Sequence, residues 1–233
     1  MTLRPLDGPA PIEAVLFDFH STLVDQGSPH AWLELAWRHA GRTGSPGETL
    51  GAARADQLAD WMNRIWEHVL EVDPDNQRDL SSRRHREVYD ALMDRVPEVD
   101  DDLSAALYEV MLETWVPYDD ALPTLRALKA RGLKLALISN VGVDVRGVLV
   151  RGGMGDLFDA VILSFEVGLV KPQRSIFQLA LDALGVPPGR ALMVGDNAHD
   201  DAGAAHLGIR TLLLPRTTGV EHGLQLVLRL VGP

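Results

Sequence analysis

Cysteine is absent from the 233 residues. That excludes disulfides, thiolate metal sites and cysteine nucleophiles, and it is compatible with the cytoplasm. Long apolar runs are absent too: none approaches the roughly 20 residues a membrane-spanning helix needs. The opening segment, residues 1–14, has no basic stretch followed by an apolar one, so no secretory signal is expected. Positive charge is scarce. Lys and Arg number 22 against 33 Asp and Glu, for a net charge of −11. Broad nucleic-acid binding, which rests on neutralising phosphates, is therefore not expected, nor is attraction to an anionic membrane. An anionic substrate would have to be captured by a local site against the overall field. A cytoplasmic protein, monomer or homodimer, is the expectation.

What is present has two textures. Residues 14–19 form a short apolar run with β-branched and aromatic members that ends on polar residues, the pattern of a buried strand. From about 26 to 115 the apolar residues recur three and four apart, which predicts four or so amphipathic helices and no strand. All five tryptophans (Trp32, Trp37, Trp61, Trp66 and Trp115) fall in this block. Beyond residue 117 strands and helices alternate: a helix over 122–132, strands over 134–140 and 160–164, and a helix after Pro172. A strand over 191–196, a short helix over 202–208, a strand over 211–215 and a short helix near the end complete the chain. Five apolar strands separated by helices predict an α/β fold with a parallel sheet covered on both faces. The helical block then reads as an insertion after the first strand. Residues 1–25 and 116–233 make the core; residues 26–115 make the insert. Residues 1–11 are expected to be a loose leader.

Ligands of open parallel sheets bind at the carboxyl ends of the strands. Asp18 ends the first predicted strand, Ser139 and Asn140 the second, and Gly195-Asp196 the fourth, with Asp200 four residues on. Lys171 precedes Pro172 between the third and fourth. Asp18, Asp196 and Asp200 are hard oxygen donors suited to a cation such as Mg²⁺. A carboxylate beside a cation can attack phosphorus. Lys171 can hold it ionised, and Ser139 and Asn140 can donate to phosphoryl oxygens. Each of these residues alone is more often a cap, a turn or solvated surface. Their joint fall at strand ends, in this order, carries the weight.

In that order and spacing the chain resembles the haloacid dehalogenase superfamily: Asp18 to Thr22, Ser139, Lys171, and Gly195-Asp196 with Asp200 are similar to its four motifs. The resemblance implies a Rossmann-like core with strand order 5-4-1-2-3 and an α-helical cap domain like that of β-phosphoglucomutase and phosphoglycolate phosphatase. It implies Asp18 as nucleophile, and Mg²⁺ held by Asp18, Asp196, the His20 carbonyl and Asp200. Asp200 suits the spacing better than its neighbour Asp201. Ser139 and Asn140 would bind the substrate, Thr22 would brace the loop and Lys171 would clamp charge. The activity implied is hydrolysis, of a phosphoric monoester of a small metabolite in the first place.

The chain departs from the family's phosphatases two residues after the nucleophile, where they carry an acid/base aspartate and this chain has His20. Histidine can do acid–base work near neutrality. The nearby carboxylates are expected to favour its charged, proton-donating form, and Mg²⁺ to oppose it. Two alternatives follow. A metal-independent 2-haloacid dehalogenase also lacks that aspartate, though it usually lacks Asp196 as well. A catalytically weak module binding a phosphometabolite or a partner is the other. A phosphonate-cleaving relative would use a cap lysine, and residues 26–115 contain none. Among weaker features, the basic run from Arg83 to Arg86 is expected on a solvated helix face. Trp32 and Trp37 are the tryptophans expected nearest the site.

Overall fold

The structure, a computed structural model, describes residues 10–232. The leader expected over residues 1–11 lies outside the described residues up to residue 9. The first strand, β1 (Ala14–Phe17), is buried along its whole length, as a central strand of a parallel sheet must be. The chain then turns sharply. Leu23 N donates to Phe19 O (2.8 Å) and Ser21 N to Val24 O (2.7 Å), with Ser21 in the left-handed region at φ 62°. A two-residue strand, β2 (Val24–Asp25), follows and pairs antiparallel with β3 (Val116–Pro117). Sequence periodicity could not predict this two-stranded ribbon, because two residues carry no period.

Between those two strands lie α1 (Pro29–His39), α2 (Pro46–Leu50), α3 (Ala52–Arg64), α4 (Ser82–Met93) and α5 (Asp101–Val110), with 3₁₀ turns at Ile65–Glu71, Arg78–Leu80 and Met111–Thr114. Four of the five helix starts are encoded locally. Ser28, Ser45, Ser81 and Asp100 each accept a backbone N–H of the first turn, and Ser45 forms a capping box with Glu48. Their apolar faces close on one cluster that includes Trp32, Trp37, Met62, Tyr89, Leu92 and Leu107.

The rest of the chain runs α6 (Ala121–Ala130), β4 (Lys134–Ser139), α7 (Arg146–Arg151), β5 (Ala160–Leu163), α8 (Ser164–Val167), α9 (Arg174–Leu184), β6 (Ala191–Gly195), β7 (Arg210–Leu213) and α10 (Gln225–Leu230). The helix expected over 202–208 is a 3₁₀ run, Asp201–Leu207. The main sheet is parallel, in the order β5-β4-β1-β6-β7. Counted by its five strands in chain order and read from the β7 edge, that is 5-4-1-2-3. The side chains alternate between two cores. Val15, Phe17, Leu135, Leu137 and Val194 face α6 and α10, while Leu16, Ala136, Ile138 and Met193 face α9. Each of these side chains except Ala136 contributes on the order of 1.5–3 kcal/mol by leaving water.

Register brings the strand ends together. Phe17 lies opposite both Leu137 and Val194, so Asp18 emerges beside the ends of β4 and β6. Asp18 N donates to Val194 O (2.9 Å), which fixes the height of its side chain.

Candidate active site

Asp18 is almost closed off, at 7% exposure. Thr22 Oγ1 donates to its Oδ2 (2.9 Å) and Lys171 Nζ to its Oδ1 (2.5 Å). The same ammonium donates to Asp201 Oδ1 (2.7 Å). Burial alone would discharge Lys171, but the two carboxylates outweigh it and raise its pKa. Burial pushes the Asp201 carboxyl up, with the charge of Asp18 adding to the shift and Lys171 opposing it. The polar groups buried here are thus paired with one another, as buried charges must be.

The carboxylates of Asp18, Asp196 and Asp201 have ligand oxygens all within 4.8 Å of one another. Each oxygen has a second lone pair beyond its hydrogen bond, and three hard donors at that spacing fit a cation such as Mg²⁺. The third member corrects the sequence expectation. Asp200 points away, its Oδ1 against His199 Nδ1 (2.8 Å) and its Oδ2 accepting from Asn197 Nδ2 (3.3 Å). Asp201 is the residue that turns inward, held by Asn197 N donating to Oδ2 (2.9 Å). Glycine at 195 is required by that approach, since a Cβ there would fall on the Asp201 carboxylate.

Asp196 accepts from Arg216 Nε (2.6 Å), a partner the sequence did not suggest. Arg216 lies in the loop just after β7, another strand end, and that position was the only available signal. Two cations therefore face three carboxylates.

His20 behaves differently from expectation. Its ring packs on Trp115 at 4.6 Å, and Ser21 Oγ lies 3.2 Å from Nδ1. Nε2 is buried with no partner among the described residues. Burial first, then the guanidinium of Arg216, lower its pKa to about 4; Asp25 pulls the other way and Arg78 adds to the fall. The imidazole is neutral at neutral pH, a weak base and not the charged donor the neighbouring carboxylates suggested.

Ser139 is buried at the end of β4. Asn140, expected beside the substrate, also has a structural task. Its Nδ2 donates to Lys171 O (3.0 Å) and its Oδ1 accepts from Lys171 N (2.8 Å), so its amide clamps the lysine's backbone. Asn140 also walls a cavity of about 90 Å³ between the helical block and the sheet, with His20, Trp32, Met62, Arg78 and Trp115. A wider cleft of about 540 Å³ adjoins it, lined among others by His20, Asp25, Arg64, Arg78 and Arg216. Asp18 itself walls neither.

Of the two tryptophans expected near the site, Trp32 lines the inner cavity and Trp37 is core. Trp66 and Trp115 line the cavity too. In the basic run, Arg83, Arg84 and Arg86 pair with Glu87, Asp73 and Asp90, while His85 alone reaches the cavity. His30 pairs with Asp56 on the surface. No helix among the described residues is long and apolar enough to cross a membrane.

The model of the haloacid dehalogenase-like hydrolases matches residues 12–208. A phosphoserine phosphatase of Thermus thermophilus is 42% identical over 101 residues, 42% of this chain and 41% of that protein. The chain thus spans about two fifths of that relative's length. An (S)-2-haloacid dehalogenase of Pseudomonas sp. is 28% identical over 214 residues, 90% of this chain and 85% of that one. Among solved structures, a haloacid dehalogenase-type (HAD) phosphatase of Thermococcus onnurineus covers 95% of this chain at TM-score 0.63 and 24% identity, aligned over 98% of its own length. A dehalogenase structure covers 95%, also over 98% of its own length, at TM-score 0.68 and 24%. These two likenesses speak for the fold.

Proposed function

The chain belongs to the haloacid dehalogenase-like hydrolases, and on that footing we propose that it is a Mg²⁺-dependent phosphatase of a small phosphorylated metabolite. In this reading residues 26–115 form a cap over a core made of residues 1–25 and 116–233. The observation that carries it is the trio of carboxylates, Asp18, Asp196 and Asp201, gathered within 4.8 Å. A hydrolase that displaced halide from carbon without a metal would not need these three carboxylates to form an ion site.

Asp18, Asp196 and Asp201, with the His20 carbonyl, are the groups that would hold the ion. Bound there, Mg²⁺ would offset the charge of the phosphoryl group. A carboxylate oxygen of Asp18 attacks phosphorus, and the ester oxygen leaves with the electrons of the broken P–O bond. Water then cleaves the aspartyl-phosphate and restores the carboxylate. Lys171, kept charged, neutralises the transferred group, and Ser139 donates to its oxygens. Neutral His20 is the group that takes the proton of the attacking water in this reading, as a weak base with its pKa lowered to about 4, so breakdown of the intermediate should be slow. The departing alkoxide draws its proton from solvent, so esters with good leaving groups should react fastest.

A second reading has its own support. A relative matched in sequence along 90% of the chain is an (S)-2-haloacid dehalogenase, whereas the match to the phosphoserine phosphatase covers 42%. There Asp18 would attack carbon and expel halide. Phosphate release from a panel of small esters, with Mg²⁺ or EDTA, and halide release from 2-haloacids separate the two. The phosphatase reading expects ester turnover that EDTA and Asp18→Asn abolish, with a displaced pH optimum in His20→Asp. Halide release that survives EDTA would replace it with the second reading. Ester turnover gained only in His20→Asp would mean a binding module.

A further inference from the structure

The 3₁₀ turn Arg78–Leu80 belongs to the helical block but is fastened on both sides. Ser164 Oγ, at the start of α8, donates to Asp79 O (2.7 Å). Arg78 N donates to the buried carboxylate of Asp73 (2.8 Å), which Arg84 holds in turn (2.7 Å). The Arg78 side chain is as firmly placed. Its guanidinium lies over the ring of Trp66 at 4.1 Å, and Nε donates to Asp79 Oδ2 (3.2 Å). One edge remains. Nη1 is buried and has no partner among the described residues. Buried donors are nearly always satisfied, so a fixed guanidinium with a bare N–H in a cavity wall is a site waiting for an acceptor.

Arg78 walls both the inner cavity and the outer cleft. The other cations of the cleft are engaged within the chain: Arg64 with Glu67 and Asp60, Arg216 with Asp196. At about 90 Å³ the inner cavity is far below the roughly 300 Å³ of a site for a drug-sized ligand. Its other walls mix the apolar or aromatic Trp32, Met62 and Trp115 with the polar Gln26, Asp79 and Asn140, and the Asp79 carboxylate is already taken up by Arg78 Nε. A planar fork suits a carboxylate. A protein with a net charge of −11 needs such a local cation to capture an anion at all.

We propose that Arg78 is the specificity-determining residue of this site and takes the carboxylate of a short substrate whose reacting end lies at Asp18. The substrate class is then a phosphorylated acid of two or three carbons. This rests on the phosphatase reading above for the reacting end, but not for the carboxylate.

The test uses the full chain and a pair of phosphonates that cannot be hydrolysed, phosphonoacetate and ethylphosphonate, which differ by a carboxylate in place of a methyl. Binding is measured by calorimetry to the wild type, Arg78→Gln and Arg78→Lys. Turnover of 2-phosphoglycolate and ethyl phosphate is read alongside, with circular dichroism as a check on folding. Phosphonoacetate is expected to bind at least about tenfold tighter than ethylphosphonate to the wild type. That preference should vanish in Arg78→Gln and persist in part in Arg78→Lys. Equal binding of the two by the wild type, or a preference that survives in Arg78→Gln, overturns the assignment while leaving the phosphatase reading intact. A preference that Arg78 controls, with no ester turned over, keeps the assignment and sinks the phosphatase reading. Binding of neither overturns both.

Discussion

Lys171 Nζ lies 2.5 Å from Asp18 Oδ1, across 153 residues of chain, and both groups are shut away from water. The Lys171 ammonium is also the only partner that Asp18 and Asp201 share among the described side chains. Lys171→Met should therefore strand two buried carboxylates. A loss of about 3 kcal/mol or more is expected in urea unfolding at pH 7. It should shrink as pH falls and Asp201, whose pKa is already raised, takes up a proton. A loss below about 1 kcal/mol, the size typical of exposed pairs, would mean that water reaches the cluster.

Neighbouring aspartates should give opposite results. Asp201→Asn is expected to weaken Mg²⁺ binding by about tenfold or more, and Asp200→Asn to leave it within about threefold. Calorimetric titration of each variant with Mg²⁺ decides it. Equal weakening by both would return Asp200 to the ion.

His85 sets a pH dependence of stability. Burial chiefly, with Arg78 adding and Asp79 opposing, lowers its pKa from 6.5 to about 4. Between those values the unfolded chain binds the proton and the folded chain does not. Stability is thus full above about pH 6.5 and declines as pH falls toward 4, by at most about 1.4 kcal/mol per pH unit for this one group. His85→Gln should flatten that part of the curve relative to wild type. Parallel curves for the two proteins between pH 4 and 6.5 would remove His85 from the account.

Glycine at 142 is where the helical block meets the sheet end. A Cβ there would fall on the His85 side chain. Gly142→Ala should cost about 1–3 kcal/mol, as overpacking does. Adding His85→Ala should recover most of it, so the double-mutant cycle would show strong coupling. Additive losses would mean that the two do not press on each other.

Much of the molecule is written locally. The apolar runs at residues 14–17, 134–139 and 191–195 and the serine caps at 28, 45 and 81 need no distant residue to be read. Five strands in alternation with helices fix a covered parallel sheet, and the order of Asp18, Ser139, Lys171 and Asp196 along the chain fixes which groups stand at the strand ends. The short antiparallel ribbon of β2 and β3 was invisible because two residues show no period.

Three matters were decided only by packing. Whether Asp200 or Asp201 turns inward depends on a step of one residue around a helical turn, about 120° in a 3₁₀ run, and so on Asn197 and on the bare Cα of Gly195 beneath. The protonation of His20 depends on enclosure and on Arg216 and Arg78, far from it in sequence. The pairing of the Asn140 amide with the Lys171 backbone, 31 residues away, is likewise set by the fold. Sequence determined most of the groups this site contains, though not Arg216 or the choice of Asp201, because strand pattern and strand order are local. Tertiary structure decided their direction and charge, because both depend on partners that only the closed fold brings near.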